Sequence, residues 1–192
     1  AIGRQALTAN TTANFNTAVG AESMSSNTEG ASNTSVGYNS LAANTTGDSN
    51  VAVGRNALDA NTTASNNTAV GDLALSANTT GTRNTAIGAN AGDAITDGLA
   101  NVLVGNNAGG GGNFTSVVAV GDNSLLVNTG NNNTAVGQET LTANTSGSEN
   151  TAVGQGALSS NTTAANNTAV GRSALVTNTT GDSLTALGAY AL

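Results

Sequence analysis

The chain contains no cysteine, no histidine, no proline and no tryptophan, and these absences remove whole classes of function. Without Cys and His there are no disulfides, no thiol nucleophiles, no imidazole bases and no zinc sites of the usual kind. Aromatic residues make up 2% and charged residues 8% of the 192 positions. Disordered chains are usually rich in charge or proline, so this composition also argues against disorder.

The few charges exclude further classes. The net charge is −7, and the four basic residues, Arg4, Arg55, Arg83 and Arg172, are scattered along the chain. A nucleic-acid footprint needs clustered basic residues, so no nucleic-acid partner is expected. No apolar run approaches the ~20 residues of a membrane span, which argues against membrane insertion. Eleven dispersed acids offer no convergent titratable groups, so we expect no enzyme and no catalytic or cofactor-binding residues.

What the chain does contain is a glycine preceded by Val, Ile or Leu that recurs throughout. Nine of the eleven intervals between these glycines are 17 residues, and the two on either side of Gly121 are 16. A fixed period is the signature of a repeat architecture. The sequence therefore predicts one tandem-repeat unit over residues 1–192 with the motif N-T-A-V-G-x-x-A-L-x-A-N-T-T-G-x-x. The structural turn glycines of the regular repeats are Gly20, Gly37, Gly54, Gly71, Gly88, Gly137, Gly154 and Gly171.

The residues of the repeat are those of strands and turns. Gly, Asn and Thr are poor helix formers, and 17 residues leave no room for a good helix pair. We predict an all-β fold, a β-solenoid (β-roll) of about eleven 17-residue coils stacked about 4.8 Å apart. Stacked Val and Leu rungs are expected to form a thin core, with Ala where the coil is too narrow for more.

The direction of the Val column remains open at this point. Side chains alternate along the strand T-A-V, so Thr and Val share one side and Ala takes the other. If Ala fills the interior, Val forms an exposed apolar stripe, and such stripes mark association. If Val points inward, the Thr hydroxyls are buried with it, which is costly without partners. The stripe comprises Val19, Val36, Val53, Val70, Val136, Val153 and Val170.

A further column holds Asn seven residues after the glycine in nine of eleven repeats. Stacked amides hydrogen-bond from coil to coil, which predicts an Asn/Thr ladder. The same residues begin N-x-S/T triplets, so glycan attachment along one edge of the rod is the alternative. Both interpretations apply to Asn10, Asn44, Asn61, Asn78, Asn144, Asn161 and Asn178.

Residues 88–121 depart from the repeat. Gly92 and Gly109 replace the Leu rung, Ile95 replaces Asn, and residues 109–112 are four consecutive glycines. Drift in a weakly constrained coil fits this segment, and so does a kink or a partner site. Asp93 and Asp97 supply too few oxygen ligands for calcium, so no metal site is expected.

The NTAVG core, with x-x-A-L and N-T-T-G after it, resembles the repeats of phage tail-fibre and related surface-fibre proteins. It is also similar to the head repeats of trimeric autotransporter adhesins, although the coil is longer here. The resemblance covers essentially all of the chain. It implies a left-handed β-roll, three chains side by side, and an extracellular, cell-surface or virion location. A structural or adhesive fibre segment that contacts a surface receptor or glycan is therefore the expected function.

Two other functions remain alternatives. Both ends of the array are in phase and lack a polar cap, so we expect either a segment of a longer chain, which is favoured, or a filament subunit that joins end to end with copies of itself. The Thr columns, three residues before and eight residues after the glycine, favour an ice-binding solenoid, although exposed Thr is also an ordinary β-sheet residue.

Overall fold

The computed structural model describes residues 1–192 and consists of eleven short strands joined by turns. No helix in it is long and apolar enough to cross a membrane. The strands are β1 (Thr17–Val19), β2 (Thr34–Val36), β3 (Val51–Val53), β4 (Thr68–Val70), β5 (Thr85–Ile87), β6 (Val102–Val104), β7 (Val118–Val120), β8 (Thr134–Val136), β9 (Thr151–Val153), β10 (Thr168–Val170) and β11 (Thr185–Leu187).

The strands form one parallel sheet in chain order, from β1 at one end to β11 at the other. Each residue pairs with its equivalent in the next repeat, as Thr17 does with Thr34 and Val19 with Val36. Because neighbouring strands are parallel and follow one another in sequence, the chain must travel once around the rod between them. The predicted all-β solenoid with about 17 residues in each coil is therefore confirmed.

The interior is narrower than a Val and Leu core would require. Leu58 and Leu75 are fully buried, as expected, and so are Ala52 and Ala69 in the middle of β3 and β4. The residue before each glycine lies on the other side of the strand and is half-buried or exposed, as is Val53. The expectation that the Val rungs join the core is thus wrong, and the outward alternative is correct. Because the Leu column fills the interior from the opposite side, only a methyl group fits in the middle of a strand.

Left-handed residues form the corners of each coil. In the coil that follows Gly54, Asn56, Leu58 and Asn66 have φ values of 55°, 52° and 64°. This conformation is unfavourable for residues other than glycine. The backbone N–H groups of these three residues donate to carbonyls of neighbouring coils at 3.0–3.1 Å, so the stacking of coils offsets the local cost.

Residues 88–121 have a repacked interior rather than a hollow one. A Cβ added to Gly92 would lie 2.6 Å from Leu103 Cδ1, because Leu103 replaces the usual small residue and extends into the space of the missing Leu rung. Ile95, Phe114 and Val117 are also buried here. In this segment, a different set of apolar side chains therefore fills the space that Asn and Leu fill in the regular coils.

Each of the two 16-residue coils is one residue shorter than a regular coil, and the missing residue belongs to the turn that follows the Asn column. Asn128 Nδ2 donates to the carbonyl of Gly130, two residues on, whereas Asn144 Nδ2 reaches Gly147, three residues on. In the preceding coil, Phe114 takes the place that Gly or Ala holds elsewhere. The sheet stays in register through both coils, since β6 pairs with β7 and β7 with β8 residue by residue.

Candidate functional site

The outward side of the sheet is the most regular surface of the rod. It comprises the first and third residues of β1 to β11, which we call the Thr/Val face. All of these residues, two from each of eleven strands, are Thr, Val, Ile or Leu. Their side chains are half-buried or exposed, with 37% exposure at Val36 and 42% at Ile87. The face is thus an uncharged stripe along the whole length of the rod.

The predicted oligomer stripe lies on this face. The seven Val residues named from the sequence are the third residues of β1 to β4 and β8 to β10. The irregular strands complete the column with Ile87, Val104 and Val120. Three strands begin with Val where the others begin with Thr. These residues are Val51, Val102 and Val118. The face therefore carries more apolar side chains than the Val column alone supplies.

Two Thr columns of the repeat differ in how their hydroxyl groups are used. Eight residues after the glycine, Thr45 Oγ1 donates to the carbonyl of Thr62 at 3.0 Å, and Thr145 repeats this contact with Thr162 at 2.9 Å. On the Thr/Val face the hydroxyl groups form no hydrogen bond within the chain. They are therefore free to bond to water or to a partner. These residues are Thr17, Thr34, Thr68, Thr85, Thr134, Thr151, Thr168 and Thr185.

Charged residues border the Thr/Val face instead of interrupting it. Arg55 Nη2 lies 2.7 Å from Asp72 Oδ2, and both residues directly follow a turn glycine. Arg172 lies 5.5 Å from the ring centroid of Tyr190, a cation–π contact. Exposed pairs of this kind add little stability. They leave the stripe itself without charge.

The Asn residues seven after the glycine form continuous ladders inside the rod. Asn61 Nδ2 donates to Asn44 Oδ1 at 2.9 Å and to the carbonyl of Ala64 at 3.0 Å. Asn78 Nδ2 in turn donates to Asn61 Oδ1 at 3.0 Å. Equivalent contacts connect the residues of the second half of the rod; Asn144, Asn161 and Asn178 take part in them.

This geometry bears on the alternative of glycan attachment. Asn44, Asn61, Asn78, Asn144 and Asn161 are fully buried, whereas Asn10 and Asn178 at the two ends are partly buried. A sugar on the amide nitrogen would replace a hydrogen that the ladder uses and would need space that the interior lacks. In the folded rod, these amides act as ladder residues. The ladder also explains why Asn, rather than another polar residue, recurs there, since each amide donates and accepts at once.

The turn glycines allow the coils to approach one another closely. Gly54 has φ = 140°, and a Cβ added to it would lie 2.2 Å from the carbonyl oxygen of Gly71. The same close approach recurs at Gly20, Gly37, Gly71, Gly88, Gly137, Gly154 and Gly171. These residues are thus required by the backbone.

Some interior polar groups were not singled out from the sequence. Ser23, Ser35 and Ser40 are fully buried and hydrogen-bond to one another, with Ser23 Oγ donating to Ser35 Oγ at 2.8 Å. They occupy two columns that hold Ala in most other coils. The coincidence of three Ser substitutions in neighbouring coils is the signal that could have revealed this cluster.

No cluster of three or more acidic residues that could hold a metal ion occurs in the rod, and its surface has no enclosed pocket. No family model matches the chain, and neither a curated protein nor a solved structure matches it significantly. The Thr/Val face is consequently the candidate functional site.

Proposed function

We propose that this chain is a structural segment of an extracellular fibre, with a spacer or adhesive role, in which rods associate side by side through the Thr/Val face. The observation that carries the proposal is the uncharged outward face of the sheet, which continues across all eleven strands. Protein surfaces rarely leave long apolar stripes unpartnered. We propose that each rod associates with two further copies of the same chain.

The dimensions of the face favour assembly over a simple pair. Eleven coils at about 4.8 Å give a length of roughly 50 Å, and two side-chain columns give an area of roughly 500 Å². A stable interface buries about 800 Å² from each partner. One face alone falls short of that, so each rod must also bury the columns that flank the face on both sides. A homotrimer, in which every chain contacts two others, meets this requirement, and the resemblance of the repeat to trimeric fibre proteins agrees with it.

The extracellular, cell-surface or virion location belongs to the same proposal, as does contact with a surface receptor or glycan. Both rest on the resemblance of the NTAVG repeat to surface-fibre proteins. The alternative of a filament that grows end to end rests on the open edges of the sheet, which lie at Ile2, the partner of β1, and at β11. Electron microscopy distinguishes the two, because lateral association gives short discrete rods and end-to-end association gives long filaments.

Analytical ultracentrifugation tests lateral association. The chain has a mass of 18.4 kDa, so a trimer of three chains would sediment as a particle of about 55 kDa. A double variant, Val70→Lys and Val136→Lys, places charges on the face and should yield monomers that retain the far-UV circular dichroism of the parent. The control is Thr63→Lys, at an exposed turn position away from the face, which should leave the assembly unchanged. A monomeric parent chain at micromolar concentration would refute the proposal.

One observation favours ice binding as a second candidate. The Thr hydroxyls of the Thr/Val face have no partner within the chain and stand at strand spacing beside a column of aliphatic groups. Such an array can order water because its hydroxyl and methyl groups repeat at fixed intervals. Thermal hysteresis measured on monomeric chain tests this function, and Thr68→Tyr with Thr134→Tyr should abolish it. A monomeric chain that lacks thermal hysteresis excludes this candidate.

A further inference from the structure

The backbone of residues 110–114 lacks the hydrogen bonds that the interior regular coils form. None of these five N–H groups donates a hydrogen bond within the chain. In the regular coil, the N–H groups of residues 43–45, which are equivalent to those of residues 111–113, all do so. Ala43 donates to the carbonyl of Asp59 at 3.1 Å, and Thr45 donates to that of Thr62 at 2.8 Å. The difference concerns the contacts that join one coil to the next.

The same loss extends over three adjacent coils on one edge of the rod. The N–H groups of Ala94, Gly111 and Val127, which are equivalent to that of Ala43, donate to no carbonyl of the next coil. Ser160 is the other interior position where this contact is missing. We call residues 94–97, 110–114 and 126–129 the open edge. The first two of these segments are joined by the side chain of one exposed residue, Asn113, whereas the third keeps the hydrogen bond from Thr129 N–H to the carbonyl of Thr145 at 2.7 Å.

The Asn ladder also stops at the open edge. Ile95 follows Asn78 in the column, so Asn78 Oδ1 is buried without a hydrogen-bond partner. Gly112 follows Ile95, and the ladder resumes only at Asn128. Apolar contacts around Leu103 and Phe114 replace the ladder in the interior. Apolar contacts are non-directional, whereas ladder hydrogen bonds fix the angle between coils.

On the other sides of the rod, the hydrogen bonds between coils are kept through residues 94–129. β5, β6 and β7 remain paired without a break in register. The edge on the far side of the sheet keeps its contacts between coils, as Ala100 N–H donates to the carbonyl of Thr82 at 3.1 Å and Ser116 N–H to that of Leu99 at 3.0 Å. The weakness is therefore one-sided.

We propose that the rod contains a one-sided hinge at residues 94–129, at which the coils separate along the open edge while the sheet acts as the axis of bending. The hinge would let a fibre segment bend in one direction without loss of its sheet. It is independent of the proposed association, since it rests on contacts within a single chain.

Hydrogen–deuterium exchange with mass spectrometry provides the first test. Amides of residues 110–114 should exchange at least ~10-fold faster than those of residues 43–46 in the same chain. The matched control is a repaired chain in which residues 89–137 are exchanged for a copy of residues 38–88, which restores three 17-residue coils. In the repaired chain, the corresponding amides should exchange as slowly as residues 43–46.

Distance measurement by electron spin resonance provides the second test, and the absence of cysteine makes labelling specific. Thr46→Cys with Thr163→Cys reports on the side of the open edge, and Thr34→Cys with Thr151→Cys reports on the sheet. Both pairs are seven coils apart, about 34 Å. Labelled chain diluted into unlabelled chain isolates distances within one molecule.

The hinge predicts that the distance distribution of the first pair is at least ~2-fold wider than that of the second and narrows in the repaired chain. Equal widths for the two pairs would overturn the hinge even if exchange at residues 110–114 is fast, since fast exchange alone would mean local fraying. Slow exchange at residues 110–114 would overturn it as well.

Discussion

Leu103 Cδ2 lies 2.6 Å from the point that a Cβ on Gly109 would occupy, so the large side chain at one position requires the absence of a side chain at the other. In every regular coil the relationship is reversed, with a small residue in the strand and a large residue, usually Leu, four residues after the glycine. The irregular segment thus preserves the filling of the interior while exchanging which column supplies it. Core packing at near-crystalline density enforces exchanges of this kind.

This relationship predicts strong coupling between the two positions. Leu103→Ala should destabilise the rod by about 2–5 kcal/mol because it leaves a cavity. Gly109→Leu should also destabilise it, through a clash with Leu103. The double variant should lose less than the sum of the two, because it approaches the regular repeat, in which Leu58 already adopts φ = 52°. Urea denaturation of the four chains measures the coupling, and strict additivity would contradict it.

A second prediction concerns the interior Asn ladder. Asn61→Ala removes three side-chain hydrogen bonds and leaves Asn44 Oδ1 buried without a donor. We expect a loss of roughly 3 kcal/mol in the free energy of unfolding, since buried unpaired polar groups are costly. Asn10→Ala, at the partly buried start of the ladder, is the matched control and should lose about 1 kcal/mol, because Asn27 Nδ2 still donates to the carbonyl of Gly30. Equal losses would show that coil-to-coil amide contacts contribute little.

A third prediction separates two kinds of glycine. Gly54→Ala should cost more than about 3 kcal/mol, because its Cβ would collide with the rigid carbonyl of Gly71. Gly156 also has a positive φ, 66°, but the atom nearest to an added Cβ is a Ser173 hydroxyl oxygen at 3.6 Å. Gly156→Ala should therefore cost only about 1 kcal/mol, as expected from conformational preference alone. Thermal unfolding compares the two, and a mild effect at Gly54 would contradict the close packing of the turns.

Much of this fold could be predicted because the period is directly visible in the sequence. The position of Gly54, the burial of Leu58 and the Asn61 ladder follow from which residues recur. The direction of Val53 did not follow, because alternation along a strand assigns Val and Ala to opposite sides without saying which is inside. Coil width decides it, and width depends on corners such as Asn66, whose left-handed conformation is not fixed by residue type.

A fourth prediction concerns pH. Burial raises the pKa of the Asp59 and Asp93 carboxyls, although backbone N–H hydrogen bonds partly oppose the shift. A raised pKa in the folded state means that the folded chain holds these protons more tightly than the unfolded chain does. The resulting contribution to stability is present below the ordinary carboxyl pKa and is lost as the pH rises through the raised one.

Asp59→Ser should therefore stabilise the rod slightly at pH 7, by less than about 0.5 kcal/mol because the carboxyl is only partly buried and solvent screens its charge. The gain should vanish at a pH below the ordinary pKa of Asp. Glu29→Thr removes one exposed negative charge elsewhere and controls for net charge. Unfolding free energies at the two pH values measure the effect, and a gain that persists in acid would show that burial of the charge is not its cause.

The buried Ser cluster leads to a fifth prediction, which concerns cooperation among hydroxyl groups. Ser23 Oγ donates to Ser35 Oγ at 2.8 Å, and Ser35 Oγ donates to the carbonyl of Ser40 at 2.8 Å. Ser35→Ala alone should destabilise the rod by about 1 kcal/mol, because the Ser35 Oγ bonds are lost and Ser23 Oγ is left to donate only the longer bond to the Ser35 carbonyl, at 3.2 Å. Replacing all three by Ala reproduces the columns of the regular coils and should restore stability to within about 1 kcal/mol of the parent, since no buried hydroxyl then remains. Urea denaturation of the single and triple variants decides the matter: a triple variant that is less stable than Ser35→Ala would mean that the hydroxyl cluster itself holds these coils together.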